Sequence, residues 1–236
     1  YDGGTTSQGQ PYLVMEYVQG ISLEQWSADR RNGLAARLRM FLAVCRIVQS
    51  AHAQLVLHCD LKPGNVHVRE NGSPVLLDFG VARLLSDTAV SADFCTPGYA
   101  SPEQWAGQAV GVGSDIYSLG VMLVELLGAR TGAGRLPTVP QASQWCERTL
   151  PWQRRLPGDL DAIARKACAA DPGARYLTVG DLISDLESHL ERRPVKARQG
   201  GLAYVWLRAL HRNWRGWLLL TVLAAASIWL MSALHA

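Results

Sequence analysis

One stretch of this 236-residue chain concentrates side chains that could move a phosphoryl group. His58-Cys59-Asp60-Leu61-Lys62-Pro63-Gly64-Asn65 is followed, thirteen residues after Asn65, by Asp78-Phe79-Gly80. Transfer of a terminal phosphoryl group needs an acceptor for the nucleophile's proton, a cation on the migrating group, and oxygen ligands for the metal ions that sit on the phosphates. One carboxylate, one lysine, one amide and a second carboxylate can supply those parts. A single Asp-Phe-Gly is more often a turn than a metal site, but the ordered set Asp-x-Lys-x-x-Asn … Asp-Phe-Gly is specific. Two more blocks follow in order: Cys95-Thr96-Pro97-Gly98-Tyr99-Ala100-Ser101-Pro102-Glu103, then Ser114-Asp115-Ile116-Tyr117-Ser118-Leu119-Gly120.

The elements that must position these groups are short strands early and helices later. After a glycine-rich turn (Gly3, Gly4, Gly9), Pro11 leads into the apolar run Tyr12-Leu13-Val14-Met15, which reads as a strand, as does Pro74 to Leu77. Leu38, Phe41, Leu42, Cys45, Val48 and His52 recur at helical intervals over residues 34–54. Ile116 to Leu127 is apolar almost all round, yet too short to cross a bilayer, and predicts a helix buried at the centre of a domain. Leu160, Ile163, Ala164 and Ala167 mark one later helix. Val179, Leu182, Ile183, Leu186 and Leu190 mark another, with Thr178 and Asp181 as a capping pair. The fold class is therefore α+β and mainly helical, with a few short strands.

In order and spacing the four blocks resemble the eukaryotic-type serine/threonine protein kinases of bacteria. The resemblance covers residues 1–193, beginning just before the hinge and running through the large lobe. It implies a kinase-like C-terminal lobe that transfers the γ-phosphoryl group of ATP, with Mg2+, to serine or threonine of protein substrates. By position, Asp60 matches the base that takes the hydroxyl proton, and Lys62 the lysine that steadies the γ-phosphate. Asn65 and Asp78 match the metal ligands. Glu16 and Val18 match hinge residues whose backbone would bond the adenine, and His67 falls where an aliphatic side chain usually underlies the adenine ring. Thr96 matches the threonine that ties the substrate-binding segment to Asp60 and Lys62. Glu103 and Arg175 resemble a structural ion pair, and Asp115 the helix aspartate that holds the catalytic-loop backbone.

Departures from the family pattern carry expectations of their own. Cys59 replaces the usual arginine, which normally pairs with a phosphorylated activation loop, so ordering by phosphate at Ser86, Thr88 or Ser91 loses that partner. The lysines are Lys62, Lys166 and Lys196 alone. The phosphate-gripping lysine and glycine-rich loop of the family precede the hinge, so these residues are expected to be part of a longer protein and to have negligible phosphotransferase activity by themselves. Two rivals stand beside this reading. One is a membrane-anchored pseudokinase scaffold, favoured by Cys59 and His67 and opposed by the intact Asp60, Lys62, Asn65 and Asp78. The other is a small-molecule phosphotransferase of the aminoglycoside-kinase type, opposed by Lys62 and the Thr96–Glu103 block.

Charge and hydropathy set the surroundings. The chain is 48% hydrophobic and 18% charged, which excludes a disordered polymer, a collagen and a small disulfide scaffold. Five scattered cysteines read as reduced thiols. Residues 191–215 hold seven basic groups and one acid, a net +6 within a total of +3, which leaves the body mildly acidic and argues against nucleic acid as a partner. Directly after this basic collar, Trp217 to Leu234 is uncharged over 18 residues, roughly 27 Å as a helix. The expected organisation is a partial kinase domain (1–193), a basic juxtamembrane linker (194–215) that attracts anionic lipid, and a transmembrane helix (216–234). The positive-inside bias puts the kinase part in the cytoplasm, as a single-pass protein of the inner or plasma membrane. A homodimer is left open.

Overall fold

A computed structural model describes residues 2–29, 31–78, 83–84, 96–128, 158–198, 201 and 204–206. Phe79 and Gly80, the loop residues Ser86, Thr88, Ser91 and Cys95, and the apolar stretch 217–234 lie outside the described residues. Among the described residues no helix is long and apolar enough to cross a membrane.

Three small antiparallel sheets surround the start of the chain. Strands β1 (Asp2–Thr5) and β2 (Pro11–Val14) pair as a hairpin. Strand β3 (Gly20–Ser22) pairs with β5 (Val66–Arg69), which pairs in turn with β6 (Pro74–Leu76). The third pair joins β4 (Val56–Leu57) to β7 (Arg83–Leu84). Along β5 the residues alternate buried and half-buried, so Val66 and Val68 enter the core while His67 and Arg69 take the other face. Gly20 is required by packing: a Cβ there would lie 2.4 Å from the Val68 carbonyl oxygen.

The helical body follows. Helix α1 (Leu23–Ala28) starts at a capping box in which the Ser22 hydroxyl accepts from the Gln25 N–H and the Gln25 side chain accepts from the Ser22 N–H. Helix α2 (Leu34–Ala53) buries Leu38, Phe41, Leu42, Val44, Cys45 and Val48 against the sheet and later helices. A short helix α3 (Pro102–Trp105) precedes α4 (Val112–Leu126), whose residues are buried almost all round, in line with its mostly apolar run from Ile116 onward. Helices α5 (Asp159–Ala167) and α6 (Val179–Leu190) close the body, the latter capped where the Thr178 side chain accepts from the Asp181 N–H at 3.1 Å. Buried Arg37 ties the layers by donating to the carbonyls of Ser27, Asn32 and Leu126.

One close approach in this body decides how tightly α4 and α5 can sit. A Cβ on Gly120 would meet Cys168 Sγ at 2.5 Å and Ala167 Cβ at 2.8 Å. Gly120→Ala should therefore destabilise, since overpacking costs about 1–3 kcal/mol against roughly 1 kcal/mol gained in helix propensity. Urea unfolding of the variant should show a lower midpoint, partly restored when Cys168→Ala makes room. An unchanged or raised midpoint for Gly120→Ala alone contradicts this packing.

Candidate active site

The residues of the candidate catalytic loop are presented by a backbone held in an unfavourable conformation. Cys59 has φ 65, and Asp78 has φ 57. The left-handed region is uncommon for residues with a side chain and costs about 1–3 kcal/mol unless the surroundings enforce it. The enforcing groups are visible. Asp115, 1% exposed, accepts the Cys59 N–H on Oδ1 at 2.9 Å and the His58 N–H on Oδ2 at 2.9 Å. Gln104 Nε2 donates to the Cys59 carbonyl at 2.7 Å. The Cys59 side chain packs with Leu57 and Val110. Both peptide groups of Cys59 are thus clamped, and the chain that follows is aimed outward.

What it aims is a compact polar cluster. Asp60 Oδ1 accepts from Thr96 Oγ1 at 2.6 Å, and Oδ2 accepts from Lys62 Nζ at 2.8 Å. Lys62 Nζ also donates to Thr96 Oγ1 at 2.8 Å, which closes a triangle of three side chains. Asn65, in a 3-10 turn over Pro63–Asn65, donates through Nδ2 to the Asp60 carbonyl at 2.9 Å and to Asp60 Oδ2 at 3.3 Å. The next loop is held by the same residues: the Leu77 N–H donates to the Asn65 carbonyl at 2.7 Å, and His58 Nε2 donates to the Leu77 carbonyl at 3.1 Å. Asp78 follows directly, exposed to solvent.

The structure therefore brings Asp60, Lys62, Asn65 and Thr96 into mutual contact and sets Asp78 on the adjoining loop. The hinge residues stand apart from that cluster. Residues 15–19 have no regular structure; Val18 is buried, while the exposed Glu16 side chain pairs with Arg69 at 3.1 Å. His67 is half-buried on β5, its Nδ1 buried without a hydrogen-bond partner. Among the described residues no group of three His, Cys, Asp or Glu side chains could hold a metal by itself. The residues that fit a hard cation are Asn65, whose Nδ2 faces Asp60 and leaves its amide oxygen over, and the exposed carboxylate of Asp78. That all-oxygen set suits magnesium shared with phosphates rather than a protein-only cage.

Sequence reasoning passed over three supporting groups. His52, read as one more apolar position of α2, donates through Nε2 to Asp115 Oδ2 at 2.7 Å, with its Nδ1 buried and unpartnered. His58 accepts the Asp60 N–H on Nδ1 at 3.3 Å. Gln104 also caps α3, its Oε1 accepting from the Ser101 N–H at 2.9 Å. The periodicity of α2 hides His52, and the three-residue Ser101–Gln104 spacing is the signal that could have found the cap.

A second buried centre lies behind the loop. Arg175 donates to Glu103 with Nη1 to Oε1 at 2.7 Å and Nη2 to Oε2 at 2.8 Å, a bidentate pair. Its other donors reach the carbonyls of Gly113, Ala169 and Ala170, and Ser114 Oγ donates to Glu103 Oε1 at 2.7 Å. Burial by itself would raise the Glu103 pKa, but the hydrogen bonds from Arg175 and Ser114 outweigh it and hold the carboxyl below its ordinary value.

A fold of short sheets beside a helical body, with an Asp–Lys–Thr–Asn cluster at the end of α2, defines the class of protein kinases. Residues 3–179 match the family model of the protein kinase domain, and the chain belongs to that family. Similar proteins include a probable serine/threonine-protein kinase of Streptomyces coelicolor, 35% identical over 197 residues, which are 79% of this chain and 29% of that protein. The serine/threonine-protein kinase PknB of Mycolicibacterium smegmatis is 34% identical over 200 residues, 79% of this chain and 32% of its own length. PknB of Mycobacterium tuberculosis is 33% identical over 199 residues with the same coverage. The chain thus spans about a third of the length of the curated relatives it matches.

Two outcomes follow from the buried carboxylates. Asp115→Asn leaves one backbone N–H of the His58–Cys59 pair facing an amide donor, at a cost of about 1–3 kcal/mol. Urea unfolding checks it, and a shift within error overturns the clamp. For Glu103, the folded pKa lies below the unfolded one, so its contribution to stability is complete above the ordinary value of 4.5 and is lost as pH falls through the folded value. The stability gap between the native chain and Glu103→Gln should be flat from pH 6 to 8 and shrink as pH falls through and below the ordinary carboxylate range; a gap that widens in acid contradicts the pairing.

Proposed function

We propose that this protein is a serine/threonine protein kinase that transfers the γ-phosphoryl group of ATP to a hydroxyl of protein substrates. The observation that carries the reading is the closed contact of Asp60, Lys62 and Thr96. Asp60 accepts the proton of the substrate hydroxyl as its oxygen attacks phosphorus and the bond to ADP breaks. Lys62 places its ammonium on the non-bridging oxygens of the migrating group, where charge is spread in the transition state. Thr96 holds both side chains in register and ties them to the segment that runs through Tyr99 to Glu103, against which a peptide would lie. Asn65 and Asp78 are the residues that would hold magnesium, which when bound neutralises phosphate charge. Glu16 and Val18 would offer backbone groups to the adenine, with His67 beneath the ring.

The connected state of these four polar groups supports an enzyme over a scaffold. The Thr96–Glu103 segment, packed under the loop by Gln104 and Arg175, supports a protein substrate over a small molecule. With Lys62, Lys166 and Lys196 as the lysines of the 236 residues, the reading assigns activity to a longer polypeptide in which a phosphate-gripping lysine precedes the hinge. The finer organisation belongs to the same proposal: a cytoplasmic kinase part, a basic collar, and residues 217–234 spanning the inner or plasma membrane.

Incorporation of labelled phosphate into a basic protein substrate by the longer polypeptide tests the reading. Asp60→Asn should lower the rate by about 100-fold or more. Asp78→Ala should abolish the magnesium-dependent thermal shift given by ATP. An Asp60→Asn variant with full activity would overturn the assigned chemistry; absence of any nucleotide shift in the unaltered protein favours the scaffold.

A further inference from the structure

The collar does not leave the lobe as a free tail. Val195, 2% exposed, belongs to the main hydrophobic core, and Ala197 packs against it. Asp185 on α6 accepts the Lys196 N–H on Oδ1 and the Ala197 N–H on Oδ2, each at 2.8 Å, as well as the Tyr176 hydroxyl at 2.9 Å. Asp159, at the start of α5, accepts Arg198 Nη1 at 3.0 Å and the Tyr204 hydroxyl at 2.9 Å, and meets His189 Nδ1 at 3.3 Å. The Tyr204 oxygen in turn accepts the Val195 N–H at 3.1 Å, and the Arg198 guanidinium lies 4.5 Å from the Tyr204 ring. Arg198 runs so close over Gly158 that a Cβ there would sit 2.7 Å from Nη1.

Two carboxylates that are 1% and 2% exposed bind the same short segment. Buried carboxylates are tolerated where their acceptors are used, and here the collar's backbone and side chains use them. The charge of the collar is divided accordingly. Arg198 is committed to Asp159, and Arg193 pairs with exposed Glu191 at 2.8 Å. Arg192 and Lys196 are exposed and have no side-chain partner among the described residues.

We propose that Val195, Lys196, Ala197, Arg198 and Tyr204 form a clasp that holds the collar to the kinase lobe, and that Lys196 of this clasp and the neighbouring Arg192 set the lobe against the headgroups of an anionic bilayer. The proposal rests on the reading of residues 217–234 as a membrane span. The chain is then fastened to the lobe as far as Tyr204, and Arg192 and Lys196 keep a fixed place on the lobe's surface. Asp185 and Asp159 are positioning residues for that mount, and Tyr204 is the bridge between Asp159 and the Val195 backbone.

The test uses the full chain in nanodiscs of phosphatidylcholine with 30% phosphatidylglycerol. Amide exchange is read at Val195, Lys196 and Ala197, and energy transfer from a donor on the N-terminal amine to acceptor-labelled lipid gives the distance distribution. The amides of Lys196 and Ala197 should exchange at least 100-fold more slowly than in an unstructured chain. Tyr204→Phe, which removes one oxygen and leaves the ring, should speed exchange at Val195 about tenfold and broaden the distance distribution about twofold. Asp185→Asn should do the same at Lys196 and Ala197, and pure phosphatidylcholine should lengthen the mean distance. Unstructured exchange rates in the native chain overturn the clasp. An unchanged distribution in both variants overturns the mount, and an unchanged distance in phosphatidylcholine overturns the headgroup contact. Failure of the chain to enter nanodiscs, with the amides still protected, overturns the membrane reading and the mount with it.

Discussion

A single buried carboxylate, Asp115, holds the catalytic loop in the shape on which the rest of the site depends. It sits at the start of α4, the most deeply buried helix of the described chain, and meets two consecutive backbone N–H groups and the His52 imidazole. Two adjacent N–H groups converge on one carboxylate only where the chain turns sharply, and Cys59 at φ 65 makes that turn. Such a conformation is unfavourable in isolation and must be enforced from outside the loop. The enforcing group is carried by the core itself, so the geometry of Asp60 is inherited from the packing of α4 rather than from the loop's own sequence.

The same helix start supports the segment that carries Thr96. Ser114, one residue before Asp115, donates to Glu103, and Gly113 gives its carbonyl to Arg175. Gln104, next to Glu103, reaches back to the Cys59 carbonyl. The loop that carries Asp60 and the segment that carries Thr96 are thus fastened to one rigid terminus by neighbouring residues. That common fastening explains how side chains 36 residues apart in sequence meet at 2.6 Å. It also explains why α3 can be a single turn: its ends are secured by the Ser101 cap and by contacts to the core, not by helix propensity.

Much of this was legible in the sequence, for reasons that differ by element. The long helices α2, α5 and α6 announce themselves through apolar periodicity, and α4 through a run from Ile116 to Leu127 that is apolar almost all round. Asp60, Lys62 and Asn65 were readable as candidates because phosphoryl transfer calls for such groups in such an order, and Thr96 through its match to the family pattern. The short strands β1, β3, β4 and β5 were not, since two to four residues carry too little pattern to stand out, and β1 lies in a stretch that reads as a glycine turn. His52 was miscounted because a half-buried histidine paired through one nitrogen to a carboxylate occupies the same helical position as an apolar residue would. Nothing local to Cys59 signals its left-handed backbone; that follows only from what Asp115 and Gln104 do across the fold.

The collar shows how a charge count and a surface can differ. Summed over residues 191–215 the sequence is strongly basic, which invites a picture of a loose cationic linker. The structure assigns part of that charge inward: Arg198 neutralises Asp159, and the backbone of Lys196 and Ala197 satisfies Asp185. Removing the collar would take two backbone donors from Asp185 and the Arg198 and Tyr204 donors from Asp159, leaving them the Tyr176 hydroxyl and the His189 ring. The lobe and the first part of the collar are therefore thermodynamically one unit. Coulombic attraction to a surface weakens with salt over about 10 Å, whereas the backbone hydrogen bonds to buried Asp185 are screened much less. A protein that joins the two can keep its chain fastened to the lobe as far as Tyr204 while leaving the exposed cations Arg192 and Lys196 to respond to ionic strength.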